Sequence, residues 1–273
     1  MFTDLDRPPL NAAELSRGLN FYASVDVVDR TGSTNADLLE RAADPTVDRA
    51  VLFAEFQERG RGRHSRTWEA PPQAHIAVSV LLRAPGVDPG TLGWLPLLTG
   101  IAIVDALREV AKVDAELKWP NDVLVGGRKV AGILAEVSWP KPADADTGPA
   151  VVVGVGLNVS LTEEELPVPQ ATSLALLGAE VTDRTTIARA MLRALAERWR
   201  AWEAAGWATT DLAAAYRERC VTLGARVRAD LPGGAAVEGT ARDIDADGRL
   251  LIVREDRDEI AVAAGDVTHL RGA

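Results

Sequence analysis

The sequence has very little cysteine, histidine and methionine. Its 273 residues include 1 cysteine, 3 histidines and 2 methionines. A single cysteine, Cys220, cannot form an intramolecular disulfide, and the few cysteines and histidines lack the spacing of a zinc site. A Ser/His/Asp nucleophile arrangement and a Walker A loop are absent as well. We interpret Cys220 as a small, partly buried hydrophobic residue of a protein from a reducing compartment.

Basic residues are also fewer than acidic ones. The chain carries 30 Lys and Arg residues against 40 Asp and Glu residues, which gives a formal net charge of −10. Such a charge repels nucleic acids and anionic membranes unless a local basic patch overrides it. We therefore expect neither a nucleic-acid partner nor a membrane partner.

Long hydrophobic runs and export signals are missing. The most apolar run, from Gly93 to Val104, is shorter than the roughly 20 residues that a membrane-spanning helix needs. Residues 1–20 contain Asp, Arg and prolines where an export signal would need a basic start and an apolar centre. These absences predict a cytoplasmic protein.

Hydrophobic periodicity divides the chain into a large first part and a small C-terminal part. Apolar patterning predicts strands over residues 24–29, 50–56, 75–82, 129–137 and 150–159, and a helix over residues 91–110. After residue 220, four or five short strands with tight turns predict a small β-barrel. We expect an N-terminal extension at 1–20, a larger domain at 21–219 and the barrel at 220–273.

The segment Gly60–Trp68, called here the arginine loop, follows a predicted buried strand that ends at Gln57. Its sequence Gly-Arg-Gly-Arg-His-Ser-Arg-Thr-Trp suits neither a helix nor a strand, because glycine weakens both. Such a loop is either a solvated linker or a clamp for phosphate or carboxylate. Its position at a strand end favours the clamp, since α/β sheets commonly bind ligands there.

Two further polar motifs have alternative interpretations. Ser33-Thr34-Asn35 precedes a predicted helix, and Thr34 with Asp37 has the form of a capping box, so the motif is either a helix cap or a binding site. Lys118 lies between Leu117 and Trp119 in an otherwise apolar segment. A single positive charge in such a place can stabilise a phosphate or an acyl oxyanion. Asn121-Asp122 either helps to position a metal or a ribose, or forms a turn.

Five motifs in this order resemble those of the biotin protein ligases, also called biotin–[acetyl-CoA-carboxylase] ligases. The resemblance extends from about residue 25 to the end of the chain. The motifs are Ser33-Thr34-Asn35, Gln57 with Gly60-Arg61-Gly62-Arg63 through Trp68, Lys118-Trp119-Pro120-Asn121-Asp122, Lys129-Val130-Ala131-Gly132-Ile133-Leu134, and Gly154-Val155-Gly156-Leu157-Asn158.

The resemblance implies an α+β fold and a two-step reaction. The fold is a mixed β-sheet catalytic domain with flanking helices, of the class II synthetase-like kind that biotin and lipoate ligases share, followed by an SH3-like barrel. Biotin and Mg-ATP form biotinyl-5′-AMP, and a lysine of a biotin carboxyl carrier domain of an acyl-CoA carboxylase then accepts the biotinyl group. The implied cofactors are ATP and Mg²⁺, the metal ligands stay open, and the expected assembly is a monomer or a weak homodimer.

The resemblance also assigns roles to individual residues. Biotin binding falls to Ser33, Thr34, Asn35, Gln57, Gly60, Arg61, Gly62 and Gly132. Arg63 and Lys118 are the catalytic residues and face the carboxylate and the phosphate, while Trp68 and Asn158 lie near the adenine and the nucleotide. This division agrees with chemistry, because a ureido ring needs oriented neutral donors and acceptors, whereas phosphoryl transfer needs positive charge. We expect residues 59–68 to be mobile until ligands bind.

The chain departs from the family pattern at two places. His64 and Ser65 stand where an arginine and a glycine are common, so a positive φ at Ser65 would cost on the order of 1 kcal/mol. About 24 residues precede the first predicted strand, too few for the winged-helix DNA-binding domain of some members.

Two alternatives to a biotin ligase stay open. They are a lipoate-type ligase and a biotin-responsive regulator without ligase activity.

Overall fold

The computed structural model describes residues 7–263 and 265–270, apart from the side chains of Ser65 and Ala143. It contains a seven-stranded mixed sheet with helices on both faces and a five-stranded antiparallel sheet at the C-terminus. The helices are α1 (Ala12–Ser16), α2 (Thr34–Arg41), α3 (Leu95–Ala106), α4 (Arg184–Ala204) and α5 (Thr210–Arg217). The predicted α+β fold with a mixed sheet and a small C-terminal β domain is therefore confirmed.

The larger sheet has the strand order β1-β2-β3-β7-β6-β5-β4. Its strands are β1 (Ser24–Thr31), β2 (Ala50–Gln57), β3 (His75–Arg83), β4 (Ala115–Lys118), β5 (Asp122–Val125), β6 (Arg128–Ser138) and β7 (Ala150–Asn158). β1 is parallel to β2 and the other described pairs are antiparallel. This order places β2, β3, β7 and β6 side by side, so the motifs at their ends lie close together.

The two faces of this sheet differ in residue size. On one face, large aliphatic residues of β3 such as Val78 and Val80 pack with Ile101 of α3 and Leu195 of α4 in the main core. On the other face, Leu38 of α2 covers a much smaller cluster around Leu52, Leu81 and Val152. Beyond that cluster the second face carries Ser79, Gly132, Gly154 and Gly156, and small residues leave room above a sheet. The open space therefore lies on the α2 side.

The segment Pro89–Ala111 forms the central core helix. It begins as a 3-10 turn, continues as α3 and ends in a π-helical turn, Leu107–Ala111. Its 23 residues exceed the apolar run seen in the sequence and meet the length and composition of a membrane span, but 72% of the most apolar window is buried inside the protein. Such burial is typical of a core helix.

The first residues that the structure describes are part of the main fold. Leu10, Leu15 and Leu19 belong to the main core, and Arg7 donates hydrogen bonds to the carboxylate of Glu165 and the carbonyl oxygen of Ser160. The predicted N-terminal extension at 1–20 therefore packs against the sheet domain from residue 7 onward, and residues 1–6 lie outside the described residues.

A buried ion pair lies beneath this N-terminal segment. Arg184 contacts Glu55 at 2.8 Å and donates to the carbonyl oxygens of Pro8 and His75, while Glu55 accepts a hydrogen bond from the backbone N–H of Leu10. The imidazole of His75 is buried beside this pair. Burial, followed by the charge of Arg184, lowers the pKa of His75 from 6.5 to about 4.

We predict that His75 makes the protein less stable in mild acid. An unfolded chain takes up the proton near the ordinary pKa and the folded chain only near 4, so stability falls as the pH drops through this interval. At about pH 5 the loss attributable to His75 is about 2 kcal/mol. Urea denaturation of wild type and His75→Gln at about pH 7 and pH 5 measures it. Equal losses in both proteins would contradict the prediction.

The C-terminal sheet consists of short antiparallel strands in the order β11-β10-β9-β8-β12. They are β8 (Arg226–Asp230), β9 (Ala236–Ile244), β10 (Leu250–Val253), β11 (Glu259–Val262) and β12 (Asp266–His269). Cys220 is buried and unpaired before β8, and burial raises the pKa of its thiol. The exact domain boundaries at 20/21 and 219/220 stay predictions.

Candidate active site

A cavity of about 150 Å³ lies on the α2 side of the larger sheet, beneath the arginine loop. Many of the residues that the sequence singled out come together around it. Those that line it are Ser33, Thr34, Asn35, Gln57, Arg61, Gly62, Arg63, Trp68 and Gly132. Gly60, Lys118 and Asn158 are not among its lining residues. A larger cleft of about 720 Å³ between the arginine loop, the start of α3 and the C-terminal sheet adjoins it through Arg61 and Arg63.

The Ser33-Thr34-Asn35 motif forms the polar floor of the cavity. The backbone N–H of Thr34 donates to Gln57 Oε1 at 2.9 Å, and the Thr34 hydroxyl lies 2.7 Å from that of Ser79. Ser79 Oγ donates to Asn35 Oδ1 at 2.6 Å. Neutral donors and acceptors are therefore fixed at the bottom of the cavity.

The predicted capping box is wrong. The N-cap of α2 is Ser33, and no hydrogen bond from its side chain to the helix is found among the described residues. Asp37 accepts its hydrogen bond from Thr31 Oγ1, at 2.5 Å. The Thr34 side chain is instead engaged with Gln57 and Ser79, because β2 and β3 place these partners next to the start of the helix.

Two glycines of β7 allow side chains to lie directly on the sheet. A Cβ atom at Gly154 would overlap Asn35 Oδ1, and one at Gly156 would overlap the Trp68 indole. Gly132 of β6 likewise faces the Trp68 ring. The glycines noted in the sequence are therefore required by close approach, which a larger residue would prevent.

We predict that Gly154→Ala weakens binding of biotin, the ligand that the sequence resemblance implies, by about 10-fold or more, because the new methyl group displaces the Asn35 amide from its partners. Isothermal titration with biotin measures the affinity. The control is Ala190→Gly in α4, which also changes one methyl group but lies away from the cavity. Gly178→Ala does not serve as a control, because alanine at φ 66° would strain the backbone. Wild-type affinity in Gly154→Ala would refute the prediction.

The arginine loop closes on itself through backbone hydrogen bonds. Gly62 N–H donates to the Arg66 carbonyl at 2.7 Å, and Trp68 N–H donates to the Gly60 carbonyl at 2.9 Å. The left-handed residue of the loop is His64, with φ 53°, whereas the sequence suggested Ser65. Histidine at such a φ carries the modest cost expected of a non-glycine residue.

Trp68 lies in the cavity with its ring against the glycine positions of β6 and β7. Its Nε1 is buried and has no hydrogen-bond partner among the described residues. The ammonium group of Lys129 lies 5.6 Å from the ring centroid. An aromatic surface beside a cation suits a planar, electron-rich group such as a purine.

Arg63 connects the loop to two other parts of the protein. Its Nη1 donates to Asn121 Oδ1 at 3.1 Å and to the Gly265 carbonyl at 3.3 Å. Burial lowers the pKa of Arg63, and the carboxylates of Asp266 and Asp122 oppose this effect. A guanidinium so placed supplies a fixed positive charge to the cavity, because arginine keeps its proton at neutral pH.

Lys129 is a cavity cation that the sequence reasoning did not single out as a site residue. Its Nζ lies 2.6 Å from Asp122 Oδ1, and both residues line the cavity. Its position in the Lys129–Leu134 motif, three residues before Gly132, was the available signal. Lys118, by contrast, pairs with Asp122 in the register of β4 and β5, and its charge, after burial, lowers the pKa of His269.

Asn158 lies away from the cavity, and the described residues around the cavity do not form a complete set of metal ligands. Asn158 is buried and donates from Nδ2 to the Thr172 carbonyl at 2.9 Å. Among residues 7–263 and 265–270, no group of three or more His, Cys, Asp or Glu side chains is arranged to hold a metal. Asp122 and Asp266 line the cavity, so a magnesium ion there would draw most of its ligands from phosphate and water.

Comparison with known proteins agrees with both parts of the fold. The model of the biotin/lipoate A/B protein ligase family matches residues 27–158, and that of the biotin protein ligase C terminal domain matches residues 222–270. A biotin protein ligase from Aquifex aeolicus, solved in complex with biotin and ATP, superposes with a TM-score of 0.75 at 25% identity, over 91% of this chain and 100% of that one.

Sequence relatives extend the similarity over almost the full chain. The biotin–[acetyl-CoA-carboxylase] ligase of Mycobacterium tuberculosis is 47% identical over 98% of this chain and 100% of its own length. The enzyme of the same name from Paracoccus denitrificans is 34% identical over 82% of this chain and 91% of its own length. The chain therefore belongs to the biotin protein ligases, enzymes that use ATP to attach biotin to a protein lysine.

Proposed function

We propose that this cavity holds biotin and the α-phosphate of ATP, and that the biotinyl group passes to a lysine of a biotin carboxyl carrier domain. The observation that carries the proposal is the division of one cavity into a neutral floor and a cationic wall. Thr34, Asn35 and Gln57 form the floor, and Arg63 and Lys129 form the wall. This division matches a substrate with a neutral ureido ring at one end and a carboxylate at the other.

In the first step a carboxylate oxygen of biotin attacks the α-phosphorus of ATP, and pyrophosphate leaves. Both reactants are anions, so the approach needs positive charge that is already in place. Arg63 and Lys129 supply it from within the cavity, and Lys118 supplies it from the end of β4, beside Asp122. Mg²⁺ bound to the phosphates neutralises further charge.

In the second step the neutral amine of the carrier lysine attacks the acyl carbon of biotinyl-5′-AMP. An amide bond forms, AMP leaves, and the amine proton is released. Until then the intermediate must be kept from water, which would hydrolyse it. The arginine loop covers the cavity and provides this protection, with Gly60, Arg61 and Gly62 over the biotin end and Trp68 beside the adenine.

The remaining roles follow from the positions of the residues. Asn158 orders the segment around Thr172 next to the nucleotide end, through its hydrogen bond to the Thr172 carbonyl. Gly132 leaves room above β6 for the Trp68 ring, which borders the ligand. The acceptor is the carrier domain of an acyl-CoA carboxylase, the location is the cytoplasm, and the assembly is a monomer or a weak homodimer.

Biotin-dependent exchange of pyrophosphate into ATP, followed by transfer to a carrier domain, tests the function. We expect exchange with biotin and subsequent biotinylation of the carrier lysine. Exchange driven by lipoate instead of biotin would identify a lipoate-type ligase. Biotin binding without exchange would identify a regulator, and either outcome would overturn the proposal.

A further inference from the structure

Glu136 of β6 links the arginine loop to the floor of the cavity. One carboxylate oxygen, Oε1, lies 2.8 Å from Arg61 Nη2, and the other, Oε2, accepts a hydrogen bond of 2.9 Å from Asn35 Nδ2. The carboxylate is largely shielded, with 22% of the side chain exposed. A single side chain therefore contacts both the loop above the cavity and the amide below it.

Glu136 and the Leu134 carbonyl together determine the orientation of the Asn35 amide. Asn35 Nδ2 donates to two groups that only accept, the Leu134 carbonyl at 3.1 Å and Glu136 Oε2. Rotating the amide by half a turn would place its oxygen against both acceptors, which is strongly unfavourable. Asn35 Oδ1 must then face Ser79.

This fixed amide sets the direction of the next hydrogen bonds. Ser79 has one hydroxyl proton and donates it to Asn35 Oδ1, so the Ser79 oxygen is the acceptor in its contact with Thr34 Oγ1. The single Thr34 hydroxyl proton is then shared between Ser79 and Gln57 Oε1, which lies 3.1 Å away. Gln57 Oε1 is held by the backbone N–H of Thr34, which turns Gln57 Nε2 away from this contact. The order of donors and acceptors on the floor thus depends on the acceptor-only carboxylate of Glu136 together with the Leu134 carbonyl and the backbone N–H of Thr34.

We propose that Glu136 is a positioning residue that sets the hydrogen-bond polarity of the biotin pocket and holds Arg61 across it. The proposal rests on the proposed function of this cavity. A cyclic urea presents one carbonyl acceptor flanked by two N–H donors, so a pocket of fixed polarity selects it over a ring of the same shape with different polarity. Glu136 acts through Asn35, Ser79 and Arg61 and needs no contact with the ligand.

Glu136→Gln tests the proposal with little change in shape. The substitution replaces one of the two carboxylate oxygens with an NH2 group, so that either Arg61 or Asn35 faces a donor where it needs an acceptor. We expect the KM for biotin in the exchange assay to rise by about 10-fold or more, because one contact is lost and the other loses its charge assistance. The KM for ATP should stay within about 2-fold, and the thermal midpoint should stay near that of wild type.

The affinity for 2-iminobiotin distinguishes a change in the hydrogen-bond polarity of the pocket from a general loss of ligand affinity. This analogue keeps the bicyclic shape but replaces the urea with a guanidinium that only donates. Wild type should strongly prefer biotin, and Glu136→Gln should lower that preference by about 10-fold, since one of the two acceptors that hold the Asn35 amide in a single orientation is then lost. Ser79→Ala breaks the same chain of hydrogen bonds while keeping the Arg61–Glu136 pair, and should lower the preference likewise.

Glu238→Gln is the matched control, because Glu238 pairs with Arg228 at 3.1 Å on the exposed C-terminal sheet. It should behave as wild type in every assay. An unchanged preference for biotin over 2-iminobiotin in both Glu136→Gln and Ser79→Ala would overturn the inference, as would equal rises in the KM for biotin and for ATP. Failure of the wild type to bind biotin would instead overturn the proposed function.

Discussion

Arg63→Met should lower the rate of biotin-dependent pyrophosphate–ATP exchange by about 10²–10³-fold, the effect typical of removing one preorganised group from a reacting anion. The guanidinium of Arg63 is half-buried in the cavity and is held by Asn121 and by the backbone of Gly265. These contacts hold the guanidinium at the cavity wall. Its loss should act mainly on kcat, because the charge that it stabilises develops as pyrophosphate leaves.

The control for Arg63→Met is Arg254→Met. Arg254 is exposed and pairs with Asp256 on the C-terminal sheet, so this variant removes an arginine far from the cavity. Exchange at the wild-type rate in Arg63→Met would show that the arginine loop does not supply charge to the phosphate. A loss in the control would show a general effect of net charge.

Lys129→Met should reduce the same exchange rate by about 10²-fold, since it removes the one ammonium group that lines the described cavity. Methionine keeps most of the length of the side chain and its packing against Trp68. The Asp122 carboxylate, 2.6 Å from Lys129 Nζ in wild type, is then left without this partner and opposes ATP binding. The KM for ATP should therefore rise as kcat falls.

Lys141→Met is the matched control for Lys129→Met, because Lys141 is exposed and lies outside the cavity. Lys118→Met in the same assay tests the second proposed lysine. We expect a smaller loss there, since Lys118 acts from outside the cavity lining. Equal rates in wild type and Lys129→Met would refute the role that we assign to Lys129.

The C-terminal sheet contributes directly to the arginine loop. Arg63 donates to the Gly265 carbonyl, and Arg66 forms an ion pair with Asp266 at the start of β12. Asp266 also lines the cavity. The small domain thus holds the loop from one side, while Glu136 of the larger sheet holds it from the other through Arg61.

Local patterns in the sequence predicted most of the strands. Alternating and continuous apolar residues were enough to locate β3, β6 and β7 within about two residues, because burial of one or both faces repeats along a strand. The helix around α3 was predicted as well. Local patterns failed at Thr34, where a capping box was expected, because the competing partners Gln57 and Ser79 come from strands distant in sequence.

Lys118 and Lys129 differ in the same way, because local sequence drew attention to one and only the tertiary structure to the other. Lys118 attracted attention because a charge among apolar neighbours is locally unusual. Lys129 sits in a motif that local reasoning interpreted as a strand, and the register between β5 and β6 brings it to Asp122. Glu136 carried no local signal at all, since a glutamate near the end of a strand is ordinary.

The sequence by itself determined the family, the two-part fold and the chemical types in the site, because ordered motifs and hydrophobic periods are properties of the chain. Only the tertiary structure decided which side chains meet. The arrangement of β2, β3 and β6 around the start of α2 joins five residues into one hydrogen-bonded chain beneath Arg61, in the order Gln57, Thr34, Ser79, Asn35 and Glu136. Hydrogen-bond polarity depends on partners from separate strands, so it exists only once the sheet has formed.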